Sequence, residues 1–194
     1  MKIKILKTVL LFAVIIFFNC SNNDDSIEQD QLPPITQTGA NTFGCVINGE
    51  VLVPKDAINY PPGPIPRGLK VYYQNNILTI DAGNLADDNG NRVYIYINGI
   101  NSTGSFELNN AEYTANNFTP NYSYLWVREN NNDIDKIYLS KTTTGSINIS
   151  RFDSVNNIVS GNFDNLNIVN KDNTNESITL TNGRFDFNLN TVNN

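Results

Sequence analysis

Residues 146–163 read SINISRFDSVNNIVSGNF, and this stretch decides the fold. In its first half, Ile147 and Ile149 alternate with polar residues, which is the two-residue period of a half-buried β-strand. Residues 153–157 are mostly polar and predict a hairpin turn. In the returning strand, Gly161 predicts a β-bulge or a close approach of another backbone. The stretch therefore predicts an antiparallel hairpin.

The same alternation continues along most of the chain. Asn48 and Gly49, and then Asn75 and Asn76, stand between alternating runs, and both pairs favour the positive φ angles of tight hairpin turns. No stretch of the body shows a helical 3.6-residue period. The predicted strands are residues 43–47, 50–53, 69–74, 77–81, 92–97, 105–108, 122–128, 136–140, 146–152, 158–169, 177–181 and 184–189, with Asn182 and Gly183 as the turn between the last two.

About a dozen short strands linked mostly by hairpins predict an all-β fold. We expect one antiparallel β-sandwich or flattened barrel over residues 41–192, with little or no helix after the N-terminal signal peptide that is described below. Parallel strands would need helical crossovers, for which the sequence offers no candidate. Residues 60–68 hold four prolines and cannot form a ladder strand.

The first twenty residues have the pattern of a secretion signal. Three lysines precede the apolar run TVLLFAVIIFF at residues 8–18, and Cys20 follows it. This run is too short to span a membrane, which needs about 20 apolar residues. The arrangement resembles a bacterial lipoprotein signal, with residues 1–19 as the signal peptide and Cys20 as the lipidated N-terminus. Phe17 and Asn19 depart from the usual signal motif, and the alternative is an ordinary secreted protein.

Residues 20–40 are polar and acidic and predict a disordered tether, stiffened by Pro33 and Pro34. Asp24 and Asp25 resemble the acidic export tag of some lipoproteins of Gram-negative bacteria. We therefore expect lipid anchoring in the outer membrane on the cell surface, with the periplasmic leaflet as the alternative. Removal of the three signal-peptide lysines leaves 10 basic and 19 acidic residues, a net charge of −9.

Composition excludes several classes of function. The chain has no histidine, which removes Ser-His-Asp and Cys-His catalysis and histidine metal sites. Its acidic balance argues against nucleic acid as a partner. No two carboxylates are placed together for glycoside hydrolysis. We expect no enzymatic activity, no cofactor and no metal, and we expect Cys45 to be a buried core residue opposite Leu52.

Two acidic loops leave a calcium site as an alternative. Residues 84–91 read NLADDNGN, but Leu85 and Tyr96 stand where an EF-hand centred on Gly90 needs oxygen ligands. Residues 130–135 read NNNDID and are equally rich in oxygen ligands. For both loops the simpler interpretation is a solvated hairpin connection.

Four segments carry a family resemblance: residues 41–49 (NTFGCVING), 145–153 (GSINISRFD), 157–163 (NIVSGNF) and 181–186 (TNGRFD). Together they resemble a family of uncharacterised all-β lipoproteins of Gram-negative bacteria, a domain of unknown function, over most of residues 39–190. The resemblance implies an envelope location and an all-β fold. It implies no activity and no catalytic residues.

Aromatic side chains form stripes on the predicted strands, opposite the aliphatic faces that suit a core. Planar rings mixed with polar groups are typical of a sugar-binding surface, although aromatic residues are also common in ordinary strands. We expect a carbohydrate- or peptide-binding surface module. The alternatives are a component of an outer-membrane assembly that contacts another protein, or a lipocalin-like carrier. The candidate ligand-binding residues are Tyr94, Tyr96, Tyr122, Tyr124, Trp126 and Arg128.

Two short segments resemble an acceptor motif for O-glycosylation in some Gram-negative envelopes. They are Asp25-Ser26-Ile27 and Asp153-Ser154-Val155. Ser26 lies in the predicted tether and Ser154 in a predicted turn, where a glycan has room.

Overall fold

The computed structural model describes residues 30–58, 61–113, 119–131 and 134–194. Over these ranges it contains twelve β-strands and no helix. The predicted signal peptide and Cys20 lie outside the described residues. Where the structure is described, no helix is long and apolar enough to cross a membrane. The strands are β1 (Thr42–Ile47), β2 (Glu50–Leu52), β3 (Leu69–Gln74), β4 (Ile77–Gly83), β5 (Arg92–Asn98), β6 (Gly104–Glu107), β7 (Tyr124–Asn131), β8 (Ile134–Leu139), β9 (Ser146–Asp153), β10 (Ile158–Phe163), β11 (Leu166–Asn170) and β12 (Ser177–Asn188).

The strands form one antiparallel sheet whose path runs β3-β4-β5-β7-β8-β11-β12-β10-β9-β6. Two strands lie off this path: β1 also pairs with β12, and β2 pairs with β1. The sheet does not close, yet its two halves meet: the Tyr73 ring on β3 lies 5.7 Å from the Phe152 ring on β9. Side chains from both halves fill one apolar core. This confirms the expected all-β antiparallel fold, with the architecture of a flattened sandwich or barrel.

The predicted hairpins agree with the backbone. Asn48 and Gly49 have φ of 48° and 92°, and Asn75 and Asn76 have φ of 54° and 63°. These are the angles that tight hairpin turns need. At Gly161 the β9–β10 register shifts by one residue, which confirms the predicted bulge. A Cβ at Gly161 would lie 2.5 Å from the carbonyl oxygen of Asn148 on β9, so the close approach of another backbone is confirmed as well.

The predicted turn at Asn182 and Gly183 is wrong. β12 continues through both residues from Ser177 to Asn188. The register with β1 shifts here, which makes the pair a β-bulge within a long strand. A Cβ at Gly183 would overlap the ring of Phe163, which is buried against it. Packing of Phe163 in the core therefore overrides the local tendency of the dipeptide to turn.

Residues 30–40, which the sequence assigns to a tether, lie against the domain instead. We call residues 30–40 the strap. Near its start, the ring of Pro33 covers Gly44 so closely that a Cβ there would lie 2.6 Å from Pro33 Cδ. Arg184 donates a hydrogen bond to the Pro33 carbonyl at 3.3 Å. Residues 30–40 therefore pack on the domain rather than extending away from it as a tether.

The end of the strap is fixed by Asp186, a β12 carboxylate that is only 1% exposed. Burial raises the pKa of this carboxyl, but the hydrogen bonds that it accepts outweigh burial and lower the pKa from 3.8 to about 2. We call this arrangement the Asp186 clamp. Its donors are Thr36 Oγ1 at 2.7 Å, Ser160 Oγ at 2.8 Å, and the backbone N–H groups of Thr38 at 2.8 Å, Gly39 at 2.8 Å and Ala40 at 3.1 Å.

The C-terminus also lies on the domain, beyond the predicted boundary at residue 192. Val192 is buried in the core. The Asn193 side chain pairs with the Val71 backbone, accepting from its N–H at 3.0 Å and donating to its carbonyl at 2.6 Å. Arg67 donates to the carbonyl of Asn194 at 2.6 Å. Residues 192–194 are therefore packed against the folded domain.

We predict that Cys45 reacts slowly with a thiol reagent in the native protein. Cys45 is fully buried opposite Leu52, as the sequence predicts, and burial raises the pKa of its thiol to about 12. The thiolate that attacks the reagent is therefore scarce at neutral pH as well as inaccessible. Ellman's reagent should react only after unfolding in urea. Rapid labelling in native buffer would contradict this burial.

We predict that Asp186→Asn lowers the free energy of unfolding by about 2–3 kcal/mol at pH 7, because an amide nitrogen cannot accept the clamp's N–H groups. The folded pKa of Asp186 lies below the unfolded value. The clamp therefore stabilises the protein above about pH 4 and loses this contribution as pH falls toward 2. The measurement is urea unfolding of wild type and variant at pH 7 and at pH 2. The difference between their free energies of unfolding should be about 2 kcal/mol smaller at pH 2.

Asp172→Asn is the matched control, since the Asp172 side chain is 76% exposed. It should change the free energy of unfolding by less than about 0.5 kcal/mol. If Asp186→Asn were as stable as this control at pH 7, the clamp would contribute nothing.

Candidate functional site

The predicted aromatic stripes lie on the outer face of the half-sheet β4-β5-β7-β8. The opposite face of these strands is the aliphatic side that fills the core. Antiparallel register aligns Tyr94 with Trp126 and Tyr96 with Tyr124 on neighbouring strands. This places the two stripes side by side.

The aligned rings stack on one another. Tyr94 and Trp126 lie 5.2 Å apart between ring centroids with 10° between their planes. Tyr96 and Tyr124 lie 4.9 Å apart at 17°. Cross-strand aromatic pairs of this kind stabilise a sheet, so part of the surface is structural whatever else it does.

Tyr96 and Tyr124 are not solvent-accessible, which corrects the expectation that the whole stripe faces solvent. They are 2% and 3% exposed and pack with Ala111, Ile137 and Leu139 in a second apolar cluster. The hydroxyl of Tyr96 donates to the Pro120 carbonyl at 3.2 Å, so chain preceding β7 covers this ring. Burial is the largest cause that raises the pKa of both phenols.

The exposed part of the surface is a corner of three rings: Tyr94, Tyr113 and Trp126, which we call the aromatic corner. Tyr94 and Trp126 are half-buried, whereas Tyr113 is 42% exposed. The Tyr113 ring meets Trp126 edge-on, 5.1 Å away at 90°. Tyr113 was not among the sequence candidates, because it lies in a connecting segment that carries no strand period. Tyr122, also half-buried, packs against the second apolar cluster beside the corner.

Two ion pairs flank the aromatic corner. Arg92 Nε donates to Asp81 Oδ1 at 2.6 Å, and Nη2 contacts the second oxygen. The hydrogen bond to Asp81 is the largest cause that raises the pKa of Arg92. Arg128 Nε donates to Asp135 Oδ1 at 2.9 Å, so this candidate residue is a partly exposed member of an ion pair. The surface thus combines ring faces with hydrogen-bond donors and acceptors.

Residues of the acidic loops line grooves on the surface. A groove of about 360 Å³ is lined by Asn48, Glu50, Asn91 and Glu129, among others. The loop at residues 84–91 is held by its own hydrogen bonds, such as the one from Asn89 N to Asp87 Oδ1 at 2.9 Å. In the part of the chain that the structure describes, no group of three Asp, Glu or Cys residues could hold a metal ion. Residues 132–133 of the second loop lie outside that part.

The structure places one of the two predicted glycosylation sites. Ser154 is exposed in the turn between β9 and β10. The preceding Asp153 is held by Arg151 Nη2 at 2.8 Å and by Asn156 N at 2.9 Å. Ser26 lies outside the described residues. Modification at either serine stays a prediction.

Comparisons of this chain with protein-family models, with curated proteins and with solved structures find no match. The resemblance to an all-β lipoprotein family therefore stays a prediction. Functional inference for this chain depends on the geometry of its own residues.

Proposed function

We propose that this protein is a non-enzymatic lipoprotein of the outer membrane, anchored through Cys20, which binds carbohydrate weakly at its aromatic corner. The observation that supports binding most directly is the three-ring geometry. Tyr94 and Trp126 stack in parallel, and Tyr113 stands against Trp126 at a right angle. The stacked rings turn their inner faces toward each other, so a pyranose would contact the outer side of this stack and the Tyr113 ring that stands at a right angle to it.

The chemistry of the corner supports a sugar more than an apolar ligand. The C–H faces of a pyranose pack on aromatic rings, and its hydroxyl groups exchange hydrogen bonds with nearby polar groups. The Arg92–Asp81 ion pair provides both donors and acceptors next to Tyr94, since Asp81 pairs with Tyr94 in the sheet. A purely apolar ligand would displace water from this ion pair without offering it hydrogen bonds in return.

The expected affinity is low. Each ring contact adds about 0.5–1.5 kcal/mol beyond area burial, so two or three contacts give only weak affinity once the costs of association are subtracted. Many copies displayed on a cell surface would bind a repeating polysaccharide together, which raises the effective affinity. This mode of binding fits a lipid-anchored surface protein.

We predict that a soluble polysaccharide shifts the emission of Trp126, the single tryptophan of the chain. Tyr113→Ala should weaken binding roughly tenfold, because it removes the upright ring and leaves the stacked pair in place. The measurement is a fluorescence titration with neutral glucans, mannans and galactans. In affinity electrophoresis, polysaccharide in the gel should retard the wild-type protein and should not retard Trp126→Ala.

Tyr72→Ala is the matched control, because Tyr72 is 60% exposed on β3, away from the corner. It should bind like wild type. Equal loss in Tyr72→Ala and Tyr113→Ala would contradict a site at the corner. If a peptide shifts the emission of Trp126 and no polysaccharide does, the module binds peptides instead. If neither ligand changes the emission, the result favours an assembly component or a carrier.

We predict that Cys20 carries the lipid. In a Gram-negative host, labelled palmitate should enter the wild-type protein and Cys45→Ala, and should not enter Cys20→Ala. Two or more acyl chains bury enough CH₂ groups, at about 0.8 kcal/mol each, to make the anchor permanent. Label in Cys20→Ala at the wild-type level would overturn the anchoring half of the proposal.

A further inference from the structure

Four Asn-Gly pairs occur in the chain, at residues 48–49, 89–90, 98–99 and 182–183. Asparagine is a thermolabile residue, because the backbone nitrogen of the next residue attacks its side-chain carbonyl carbon. Glycine hinders this attack least, since it has no Cβ and rotates freely. The attack needs a glycine N–H without a partner, a released asparagine side chain and room for the peptide group to turn. The fold decides which of the four pairs meets these conditions.

The pair in the β1–β2 turn is fixed to β12. Asn48 Oδ1 accepts a hydrogen bond from the backbone N–H of Thr179 at 3.0 Å. The backbone N–H of Asn48 donates to the carbonyl of the same residue, also at 3.0 Å. The Asn48 side chain would have to break the first of these bonds before it could react with Gly49.

The pair at residues 89–90 has its attacking nitrogen engaged. Gly90 N donates to the carbonyl of Asp87 at 2.9 Å. A Cβ at Gly90 would lie 1.9 Å from the carbonyl oxygen of Asn84, so this glycine packs directly against another part of the backbone. The peptide group before Gly90 therefore has no room to turn.

The pair at residues 182–183 lies inside β12. Gly183 is buried and is aligned with Phe163 of β10. Asn182 N donates to Asp164 Oδ1 at 2.9 Å, and the Asn182 carbonyl accepts from Arg184 Nε at 3.1 Å. Hydrogen bonds thus hold the peptide groups on both sides of Asn182.

The pair at residues 98–99 is open. β5 ends at Asn98, and Gly99 is exposed with φ of 81°. In the described part of the chain, neither the Asn98 side chain nor the Gly99 N–H has a hydrogen-bond partner, and the space where a Cβ of Gly99 would stand is empty to 4 Å. Bonds on either side, from Asn98 N to Ser123 Oγ at 3.0 Å and from Ile100 N to the Asn76 carbonyl at 2.8 Å, confine motion to this link.

We propose that Asn98 is a site of spontaneous deamidation in the folded protein. Hydroxide removes the proton of the Gly99 N–H, and the nitrogen attacks Cγ of Asn98. The side-chain nitrogen takes a proton from water and leaves as ammonia, which closes a five-membered succinimide. Water then opens the ring at one of its two carbonyl carbons, giving aspartate or isoaspartate. The reaction depends neither on Cys20 nor on the aromatic corner.

The product carries one more negative charge than the original chain. Asn98 shares the outer face of β5 with Tyr94 and Tyr96 through the two-residue period. Four residues of strand separate it from Tyr94, about 13 Å, which exceeds the screening length of about 8 Å at physiological salt. Deamidation should therefore lower the isoelectric point of the protein and leave ligand binding at the aromatic corner unchanged.

The test follows all four pairs in one experiment on the full chain. The protein is incubated in mildly alkaline buffer made with water enriched in heavy oxygen, returned to ordinary water and cleaved with trypsin. Cleavage after Lys and Arg places the four pairs on four different peptides, and only deamidation during the incubation introduces heavy oxygen. Residues 93–128 should take up at least roughly tenfold more label than the other three peptides, because the fold restrains those.

Two controls separate the site from its sequence. In urea the restraints are gone, so all four peptides should become labelled at comparable rates. Asn98→Gln should remove the label from residues 93–128 and leave the other three peptides unlabelled in native buffer, which also shows that the variant is folded. Asn182→Gln is the matched variant at a restrained pair, and it should leave the label at residues 93–128 unchanged.

The remaining outcomes overturn the proposal. Similar label on all four peptides in native buffer, or more label on any other pair, would show that the fold does not select Asn98. Label in residues 93–128 that persists in Asn98→Gln would assign the reaction to another asparagine. A peptide 93–128 that reacts in urea and not in native buffer would show that the fold protects Asn98 as well.

Discussion

The Asp186 carboxylate holds the strap against β12, and the layout of the molecule depends on this contact. The strap contacts this buried carboxylate, which stays ionised because Thr36, Ser160 and three backbone N–H groups donate to it. Removal of the strap would expose these groups to water. Removal of the carboxylate would leave the N–H groups without an acceptor. Each side of the clamp therefore stabilises the other.

The two outer faces of the sandwich have different roles, and the clamp holds the strap on one of them. The strap lies over the half that contains β1 and β12, where Pro33 covers Gly44. The outer face of β4, β5, β7 and β8 carries the aromatic rings, of which Tyr96 and Tyr124 are buried while Tyr113 stays exposed. One outer face is thus used to fix the N-terminal segment, and the other presents the candidate binding surface. The same strap carries Asp30, which forms an ion pair with Lys55.

Sequence reasoning succeeded where the cause of the structure is local. Alternation and turn residues are short-range signals, so β1 to β5 and their turns at Asn48 and Asn75 follow from them. Other features depend on distant residues. The clamp joins residues about 150 positions apart in the chain, and Gly183 is shaped by the Phe163 ring rather than by its neighbours. Such contacts leave no periodic trace in the sequence.

The candidate site shows the same division. The two-residue period of the sequence identified Tyr94 and Trp126 and placed them on one face of the sheet. It contains no information on the tertiary contacts with Pro120 and Ala111 that accompany the burial of Tyr96 and Tyr124. Tyr113 joins the corner through a tertiary contact alone. Burial and exposure within one aromatic stripe are decided by which segment folds back over it, and this is a property of the whole chain.

Amide hydrogen exchange in the full-length protein tests the clamp most directly. The backbone N–H groups of Thr38, Gly39 and Ala40 donate to Asp186, so they should exchange far more slowly than those of an unstructured chain, and about as slowly as neighbouring strand amides. Exchange of these three amides at the rate of a free peptide would show that residues 30–40 are a tether after all. The assignment of the two outer faces would then be wrong.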